Sequence, residues 1–262
     1  MEQRFTFDEV ASTYAAARPN YPEALTDDVL SYADLQPGDR ILEIGCGSGQ
    51  ATKSFARRGF AILALDPGAA LIRAAREHLA AFANVELLET TFEAWPAREA
   101  VFRLVIAAQA WHWVSPELRF AKPAQVLSPE GSLAVFANVP VGLPAALLED
   151  FKQIYLSRTG AFGLPPEAWY LPSGPIKADF ERTGLFAPVT HKTYPWKWRH
   201  TTSSYSDFLT TRSDYRMLPQ ATREALIAEI VQSIDRQGGT FDMDYETHLY
   251  IARRLDRGKN QP

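Results

Sequence analysis

The residues whose types and spacing could do chemistry are concentrated in one run, ILEIGCGSGQ, over residues 41–50. Gly45, Gly47 and Gly49 alternate with other residues there, directly after an apolar stretch that contains Glu43. Glycine adopts positive φ readily and, having no Cβ, lets the backbone come close to a ligand. A buried strand, a glycine turn and the start of a helix follow one another here, which predicts a turn that binds a phosphate or nucleoside group.

The spacing of the glycines separates two classes of nucleotide site. A dinucleotide-binding turn reads G-x-G-x-x-G and would place its third glycine at position 50, where this chain has Gln50. The pattern from Glu43 to Gly49 is E-x-G-x-G-x-G, which resembles the first motif of the class I S-adenosylmethionine-dependent methyltransferases. The resemblance implies S-adenosylmethionine as cofactor and S-adenosylhomocysteine as its product. An ordinary tight strand-to-helix turn is the alternative explanation of the glycines.

A second apolar run, over residues 61–65, ends in a carboxylate. Asp66 follows it, and Pro67 and a helix-like stretch come next. An acid at the carboxyl end of a second parallel strand can accept hydrogen bonds from both ribose hydroxyls of a nucleoside. The alternative is an N-cap, because Asp followed by Pro also starts helices well.

The elements that must position these residues alternate along the first half of the chain. We predict helices at 23–33, 50–58, 69–81 and 117–127 and strands at 40–45, 61–66, 85–89, 103–108 and 131–137. This alternation predicts an α/β fold, a Rossmann-like doubly wound and mostly parallel sheet. With strand-like runs at 191–200 and 240–253, we expect seven strands, the last one antiparallel.

The second half of the chain has a different character. Prolines break up the stretch 140–185, which we predict to be an irregular or helical lid insertion; they are Pro140, Pro144, Pro165, Pro166, Pro172 and Pro175. Helices are predicted at 204–214 and 219–236. The domain prediction is therefore a cofactor-binding domain formed by 1–139 and 186–262, with an N-terminal arm at 1–22, a lid at 140–185 and helices within 204–236 contributing to that lid.

Composition excludes several classes of function. The contents of 46% hydrophobic and 22% charged residues are those of a soluble globular chain. A net charge of −4 argues against a nucleic-acid partner, and the aromatic and basic run 191–200 fits a half-buried strand better than a single-strand binder. No apolar stretch has membrane-spanning length and the first residues lack a signal-peptide core, so we expect a cytoplasmic protein without a membrane partner. No cluster has the spacing of a metal site, and oligomeric state is not predicted.

Further segments extend the family resemblance over residues 5–138. Residues 7–22 resemble the N-terminal arm of small-molecule methyltransferases, and residues 107–114 resemble the segment that follows their fourth strand. Residues 127–133 resemble a turn usually written L-x-P-G-G. The branch most similar includes trans-aconitate methyltransferase-like and methyltransferase type 11-like enzymes.

The resemblance implies a set of cofactor contacts. The backbone near Gly45 to Gly47 would meet the methionine part, and Asp66 would bind the ribose. Arg18 and Tyr14 would close over the cofactor carboxylate. Many family members have an acid near position 91 for the adenine amino group; here Thr91 stands there. The predicted cofactor residues are Tyr14, Arg18, Gly45, Cys46, Gly47, Gly49, Gln50, Asp66, Pro67, Thr91, Phe92, Glu93 and Gln109.

The expected chemistry follows from the cofactor. A sulfonium methyl group is already electrophilic, so transfer requires mainly placement of the nucleophile and no metal. A hydroxyl or amine acceptor needs a base, for which His112 is the candidate, unless it is a structural histidine packed between tryptophans. A carboxylate acceptor needs no base, and Arg212 would hold it. The candidate substrate residues are Trp111, Trp169, Tyr170, Tyr205, Arg212 and Tyr215.

The sequence therefore predicts methyl transfer from S-adenosylmethionine to a small-molecule carboxylate, hydroxyl or amine. Two alternatives stay open at this stage. One is a nucleoside-binding protein without transfer activity, and the other is an NAD-dependent oxidoreductase.

Overall fold

A seven-stranded mixed sheet organises the chain in a computed structural model, which describes residues 17–97 and 100–256. Tyr14, predicted to contact the cofactor, lies outside the described residues. The strands are β1 (Arg40–Ile44), β2 (Ala61–Asp66), β3 (Val85–Glu89), β4 (Phe102–Ala108), β5 (Leu127–Gly142), β6 (Thr190–Thr201) and β7 (Thr240–Arg253). Their order is β3-β2-β1-β4-β5-β7-β6. The first five strands pair in parallel, while β7 is antiparallel to both β5 and β6. The predicted fold class is confirmed.

Helices cover both faces of the sheet. They are α1 (Glu23–Ala33), α2 (Gln50–Ala56), α3 (Ala69–His78), α4 (Ala121–Val126), α5 (Ala145–Thr159), α6 (Ile176–Thr183), α7 (Thr202–Thr210), α8 (Ser213–Arg216) and α9 (Gln220–Arg236). Short 3-10 helices occur at Trp111–Trp113 and Pro166–Tyr170. None of the helices described is long and apolar enough to cross a membrane.

Successive side chains of the central strands point to opposite faces of the sheet and contribute to two hydrophobic cores. Ile41 and Leu104 pack with α1 and α2 on one face, whereas Leu42 and Val105 pack with the aromatic residues of the other face. Both faces of β1, β2 and β4 are covered, which explains why these strands read as nearly continuous apolar runs.

The region beyond β5 is more regular than its prolines indicated. α5 is a helix of 15 residues whose N-cap is Pro144, so the prolines flank the helix instead of interrupting it. The strand β5 continues to Gly142 because β7 pairs with it as far as that residue, past the end of its pairing with β4 at Phe136. A third core joins α5, α7, α8 and α9 to the end of β7 near Phe241–Tyr245.

One buried lysine fixes the loop that follows β3. Lys122, on α4, donates from Nζ to the carbonyl oxygens of Phe92 (2.6 Å), Glu93 (3.0 Å) and Trp95 (2.5 Å). Its ammonium group also lies 5.1 Å from the centre of the Phe92 ring. An ammonium has three donors, and here all of them are used on one turn of the chain. Lys122 thus determines the position of residues 91–95, which border the cleft described below.

Replacement of this lysine tests its structural role. In Lys122→Met three buried or partly buried carbonyl groups lose a charged donor, and we expect the free energy of unfolding to fall by about 2 to 3 kcal/mol. Urea denaturation measures the change. The exposed Lys177→Met serves as control and should stay within about 0.5 kcal/mol of the parent. Equal losses in the two variants would show that the three Lys122 hydrogen bonds contribute nothing to stability.

Candidate functional site

An open cleft lies at the carboxyl ends of β1, β2 and β4 and has a volume of about 1330 Å³, counting the solvent-filled space at its mouth. Most of the predicted cofactor residues border it, together with the catalytic candidate and one substrate candidate. Those residues are Arg18, Gly45, Cys46, Gly47, Gln50, Asp66, Pro67, Thr91, Phe92, Glu93, Gln109, His112 and Arg212. This is where a doubly wound parallel sheet binds its ligands.

The glycine turn is held by the end of β2. The N–H groups of Gly45 and Cys46 both donate to the Leu65 carbonyl oxygen, at 2.8 and 2.9 Å. A Cβ on Gly45 would lie 2.4 Å from the Cβ of Ala110, and its φ of 69° is strained for other residues. These two amides are therefore engaged within the protein, and what the turn offers a ligand is space without Cβ atoms.

Gly49 has a different role from the one predicted. It is the N-cap of α2, with φ of 87°, and a Cβ there would lie 2.7 Å from the Leu79 side chain. Gly49 does not border the cleft, so the structure does not bring it together with the other predicted cofactor residues. Close packing of α2 explains this glycine.

Asp66 connects the two turns beside the cleft. Its Oδ2 accepts the N–H of Gly47 at 2.9 Å, and its Oδ1 accepts the N–H of Gly68 at 2.8 Å. Gly68 itself is the N-cap of α3. Each carboxylate oxygen can accept more than one hydrogen bond. The turn-forming role of Asp66 is thus compatible with an additional contact to a ligand.

Two neighbouring segments complete this part of the cleft. Gln109 has φ of 52°, uncommon for a residue other than glycine, and its Oε1 accepts from the Tyr21 hydroxyl at 3.4 Å. Thr91 caps a turn by accepting the N–H of Ala94 at 3.1 Å. Oε1 of Glu93 accepts the N–H of Ser115 at 2.9 Å. The threonine at position 91 therefore has a structural function in place of a recognition acid.

Glu43 borders the cleft as well and was not among the predicted contacts. It is fully buried, and neither carboxyl oxygen completes a hydrogen bond among the described residues, although the Thr52 side chain interacts with it and opposes the rise of its pKa. Burial, with a smaller contribution from Asp66, raises its pKa to about 7. Its place in the glycine motif was the available sequence signal. Burial likewise raises the pKa of the Cys46 thiol, which is consistent with a packing residue.

His112 shares a hydrogen bond with a buried tyrosine. Its Nδ1 lies 2.9 Å from the Tyr170 hydroxyl, which also accepts the N–H of Trp111 at 3.1 Å. This contact fixes the position of the imidazole ring, whichever of its two nitrogens carries the proton. The ring is reachable from the open cleft, yet the protein packed around it removes enough water to lower its pKa to about 4.

Most of the aromatic substrate candidates lie in cores and do not border the cleft. Trp111 is fully buried against Phe120, and Tyr170 is buried behind His112. Tyr205 and Tyr215 belong to the third core, where the Tyr215 hydroxyl pairs with a neighbouring tyrosine. Half-buried Trp169 packs on that same Tyr170 ring. The structure thus does not bring these five candidates to the cleft, and large aromatic side chains stabilise folds mainly by filling cores.

Arg212 borders the cleft but is already paired. Its Nε and Nη2 donate to Asp214 at 3.0 Å each, and its Nη1 and Nη2 donate to Glu167 at 3.2 Å each. We call these three side chains the Arg212 cluster. Both acids border the cleft too, and sequence reasoning missed them. A guanidinium engaged by two carboxylates cannot hold a carboxylate acceptor in the way predicted for Arg212.

Comparisons with known proteins support the sequence resemblance. Residues 41–131 match a family model described as a methyltransferase domain. An uncharacterised methyltransferase of Mycobacterium bovis is 31% identical over 137 residues, covering 52% of this chain and 54% of the relative. The chain thus spans about half the length of the curated relative that it matches.

Solved structures of methyltransferases share the fold. A protein assigned as a type II methyltransferase from Anaeromyxobacter dehalogenans has a TM-score of 0.57 at 24% identity, covering 90% of this chain and 96% of that one. The phosphoethanolamine N-methyltransferase 2 of Haemonchus contortus, in complex with S-adenosylhomocysteine, has a TM-score of 0.55 at 14% identity, covering 95% and 58%. At these identities the likeness concerns the fold.

The close approach at Gly45 can be tested against a glycine that has a similar φ and open surroundings. In Gly45→Ala we expect the free energy of unfolding to fall by about 2 to 4 kcal/mol, because positive φ and overlap with Ala110 both oppose a Cβ. Gly160→Ala has φ of 73° with no atom within 4 Å, and should lose only about 1 kcal/mol. Equal losses on urea denaturation would contradict the steric explanation.

Buried Glu43 predicts a pH dependence of stability. Its folded-state pKa of about 7 exceeds the ordinary value of 4.5, so stability linked to its protonation is present below 4.5 and lost as pH rises through 7. We expect Glu43→Gln to gain about 3 kcal/mol in unfolding free energy relative to the parent between about pH 4 and pH 8. Denaturation at both pH values measures it, with exposed Glu181→Gln as control. A pH-independent difference would sink the assignment.

Proposed function

We propose that this protein is an S-adenosylmethionine-dependent methyltransferase acting on a small molecule. The observation that carries the proposal is the junction of the glycine turn with Asp66 at the mouth of an open cleft, within the segment that matches a methyltransferase domain. The Haemonchus enzyme of similar fold binds S-adenosylhomocysteine. The narrower trans-aconitate branch, the lid assignment and the cytoplasmic location stay predictions.

The residues around the cleft suit the parts of this cofactor. The Cβ-free backbone at Gly45 and Gly47 leaves room for the methionine chain, and Asp66 would accept from the ribose hydroxyls. Unpaired, buried Glu43 suits the cofactor's ammonium group, since a buried carboxyl without a partner is costly until a donor arrives. Arg18, which donates to the Thr211 carbonyl at 2.7 Å, would meet the cofactor carboxylate.

The adenine would lie against the loop after β3. Thr91, Phe92 and Glu93 border the cleft there. Lys122 fixes the carbonyl groups of Phe92 and Glu93 from behind, so this loop presents one backbone shape to a base. Gln109, which borders the cleft after β4, would contact the amino-acid end.

The bound cofactor supplies an electrophilic methyl group, and the protein has to place a nucleophile in line with it. His112 is neutral at physiological pH because its pKa is about 4. A group of such low pKa is a weak general base. We therefore assign it to orientation of the acceptor, with Tyr170 fixing the ring from behind.

Calorimetry with the full chain tests the choice of ligand. S-adenosylhomocysteine should bind, and NAD should not. Binding of NAD without S-adenosylhomocysteine would favour an oxidoreductase instead. Binding of S-adenosylhomocysteine without release of labelled methyl to any amine, phenol or carboxylic acid would favour a nucleoside-binding protein.

Replacement of Asp66 tests the ribose contact. In Asp66→Asn we expect the Kd of S-adenosylhomocysteine to rise by about 10- to 100-fold, because a charged acceptor of hydrogen bonds is lost. Asp39→Asn is the matched control, since Asp39 also accepts a backbone N–H, from Gln36 at 2.7 Å, before β1 and away from the cleft. Unchanged affinity in a folded Asp66→Asn variant would refute the ribose assignment.

A further inference from the structure

The Arg212 cluster carries an excess of negative charge beside the cleft. Glu167 and Asp214 contribute two carboxylates against one guanidinium. The Arg212 and Glu167 side chains are only 9% and 13% exposed, so solvent screens their charges weakly. Four of the five guanidinium N–H groups are used: the one on Nε, one on Nη1 and both on Nη2. The cluster therefore has little capacity left to donate to an anion.

The same cluster keeps capacity to accept. Each carboxylate oxygen can take about two hydrogen bonds, and the guanidinium uses one at each of the four oxygens. The side chain of Asp214 is 35% exposed, so a ligand in the cleft can reach it. An ammonium group brings donors only, which is the complement that these oxygens lack.

The charges of the whole cleft point the same way. Among the described residues that border it, the carboxyl groups are those of Glu43, Asp66, Glu93, Glu167 and Asp214, and the cations are Arg18 and Arg212. Arg18 is the proposed partner of the cofactor carboxylate, which leaves no unpaired cation for an anionic acceptor among these residues. Glu43 is assigned to the cofactor's ammonium group, so Glu167 and Asp214 are the carboxylates that the acceptor would meet. Trp113 also borders the cleft, and indole faces attract cations.

We propose that the methyl acceptor is an amine, which binds in its ammonium form against Glu167 and Asp214. The inference rests on the proposed methyltransferase function and names the substrate class of that site. Like charges placed together across an interface are strongly disfavoured, so carboxylate and phosphate acceptors are excluded from this position.

Methyl transfer to an amine requires no reactant other than the cofactor and water. The ammonium first loses a proton to water in the open cleft, while Glu167 and Asp214 hold the acceptor in place. The nitrogen lone pair then forms a bond to the methyl carbon while the carbon–sulfur bond breaks, and that electron pair stays on sulfur. The products are S-adenosylhomocysteine and an N-methylated ammonium, which carries the positive charge that the sulfonium had.

Three probes that share one ring test the charge preference without knowledge of the natural acceptor. Benzylamine, benzyl alcohol and benzoate are titrated by calorimetry into the full chain saturated with S-adenosylhomocysteine. We expect benzylamine to bind about tenfold more tightly than either other probe, and high salt to narrow that difference. Equal or tighter binding of benzoate or benzyl alcohol, or no binding of benzylamine, overturns the proposal.

Variants of the Arg212 cluster test whether its carboxylates cause the preference for benzylamine. Glu167→Gln and Asp214→Asn keep side-chain oxygens for Arg212 but remove one negative charge each, and we expect each to reduce the benzylamine preference to about twofold. Exposed Glu181→Gln should keep the parent preference. Circular dichroism checks the fold of each variant. A preference that persists in both cluster variants overturns the proposal, whereas failure of the parent to bind S-adenosylhomocysteine at all would sink the methyltransferase function instead.

Discussion

One carbonyl group holds the cleft in shape. The Leu65 oxygen accepts two successive amides, from Gly45 and Cys46, and the next side chain, Asp66, accepts the amide of Gly47. Two consecutive N–H groups can reach one oxygen only where the chain turns sharply, and the positive φ of Gly45 supplies that turn. The loop after β1 is therefore locked to the end of β2. A ligand that binds across both strand ends meets a surface formed before it arrives, which reduces the ordering cost of binding.

The part of the fold that could be predicted from the sequence is the part built from local patterns. Short runs bounded by turn residues located β1 to β4 within about a residue. Buried β1, β2 and β4 read as nearly continuous apolar side chains, whereas the edge strand β3 is partly exposed. The features that these local patterns missed depend on contacts between residues far apart in the sequence. The extension of β5 to Gly142 depends on β7, about a hundred residues later, and α5 is stabilised by packing on α9. A run of prolines gives no signal of such partners, since Pro144 begins the helix instead of breaking it.

The candidate site also has one part that local sequence patterns predict and another that depends on long-range contacts. Glycine spacing and an acid at a strand end are local signals, and they placed Gly45, Gly47 and Asp66 beside the cleft. Arg212 was found by its residue type, but its pairing with Glu167 spans 45 residues and reverses the expected chemistry. Aromatic residues gave no usable signal, because the same side chains that could line a pocket, such as Tyr205, fill cores more often. The sequence thus identifies where a ligand binds better than what the ligand is.

The acidity of the cleft has a cost for the fold that a cationic ligand would offset. A fully buried Glu43 without a partner destabilises the folded state at neutral pH, and a neutral residue of similar size would avoid that cost. Proteins keep such costs mainly at functional sites. The proposed cofactor and acceptor each carry a cationic nitrogen, and separate carboxylates are available to each: Glu43 at the end of β1, and Glu167 and Asp214 in the Arg212 cluster. As the ammonium of the acceptor approaches the sulfonium, the repulsion between like charges favours loss of its proton. The carboxylates thus draw the ammonium form into the cleft, and the sulfonium charge opposes that form at the point of methyl transfer.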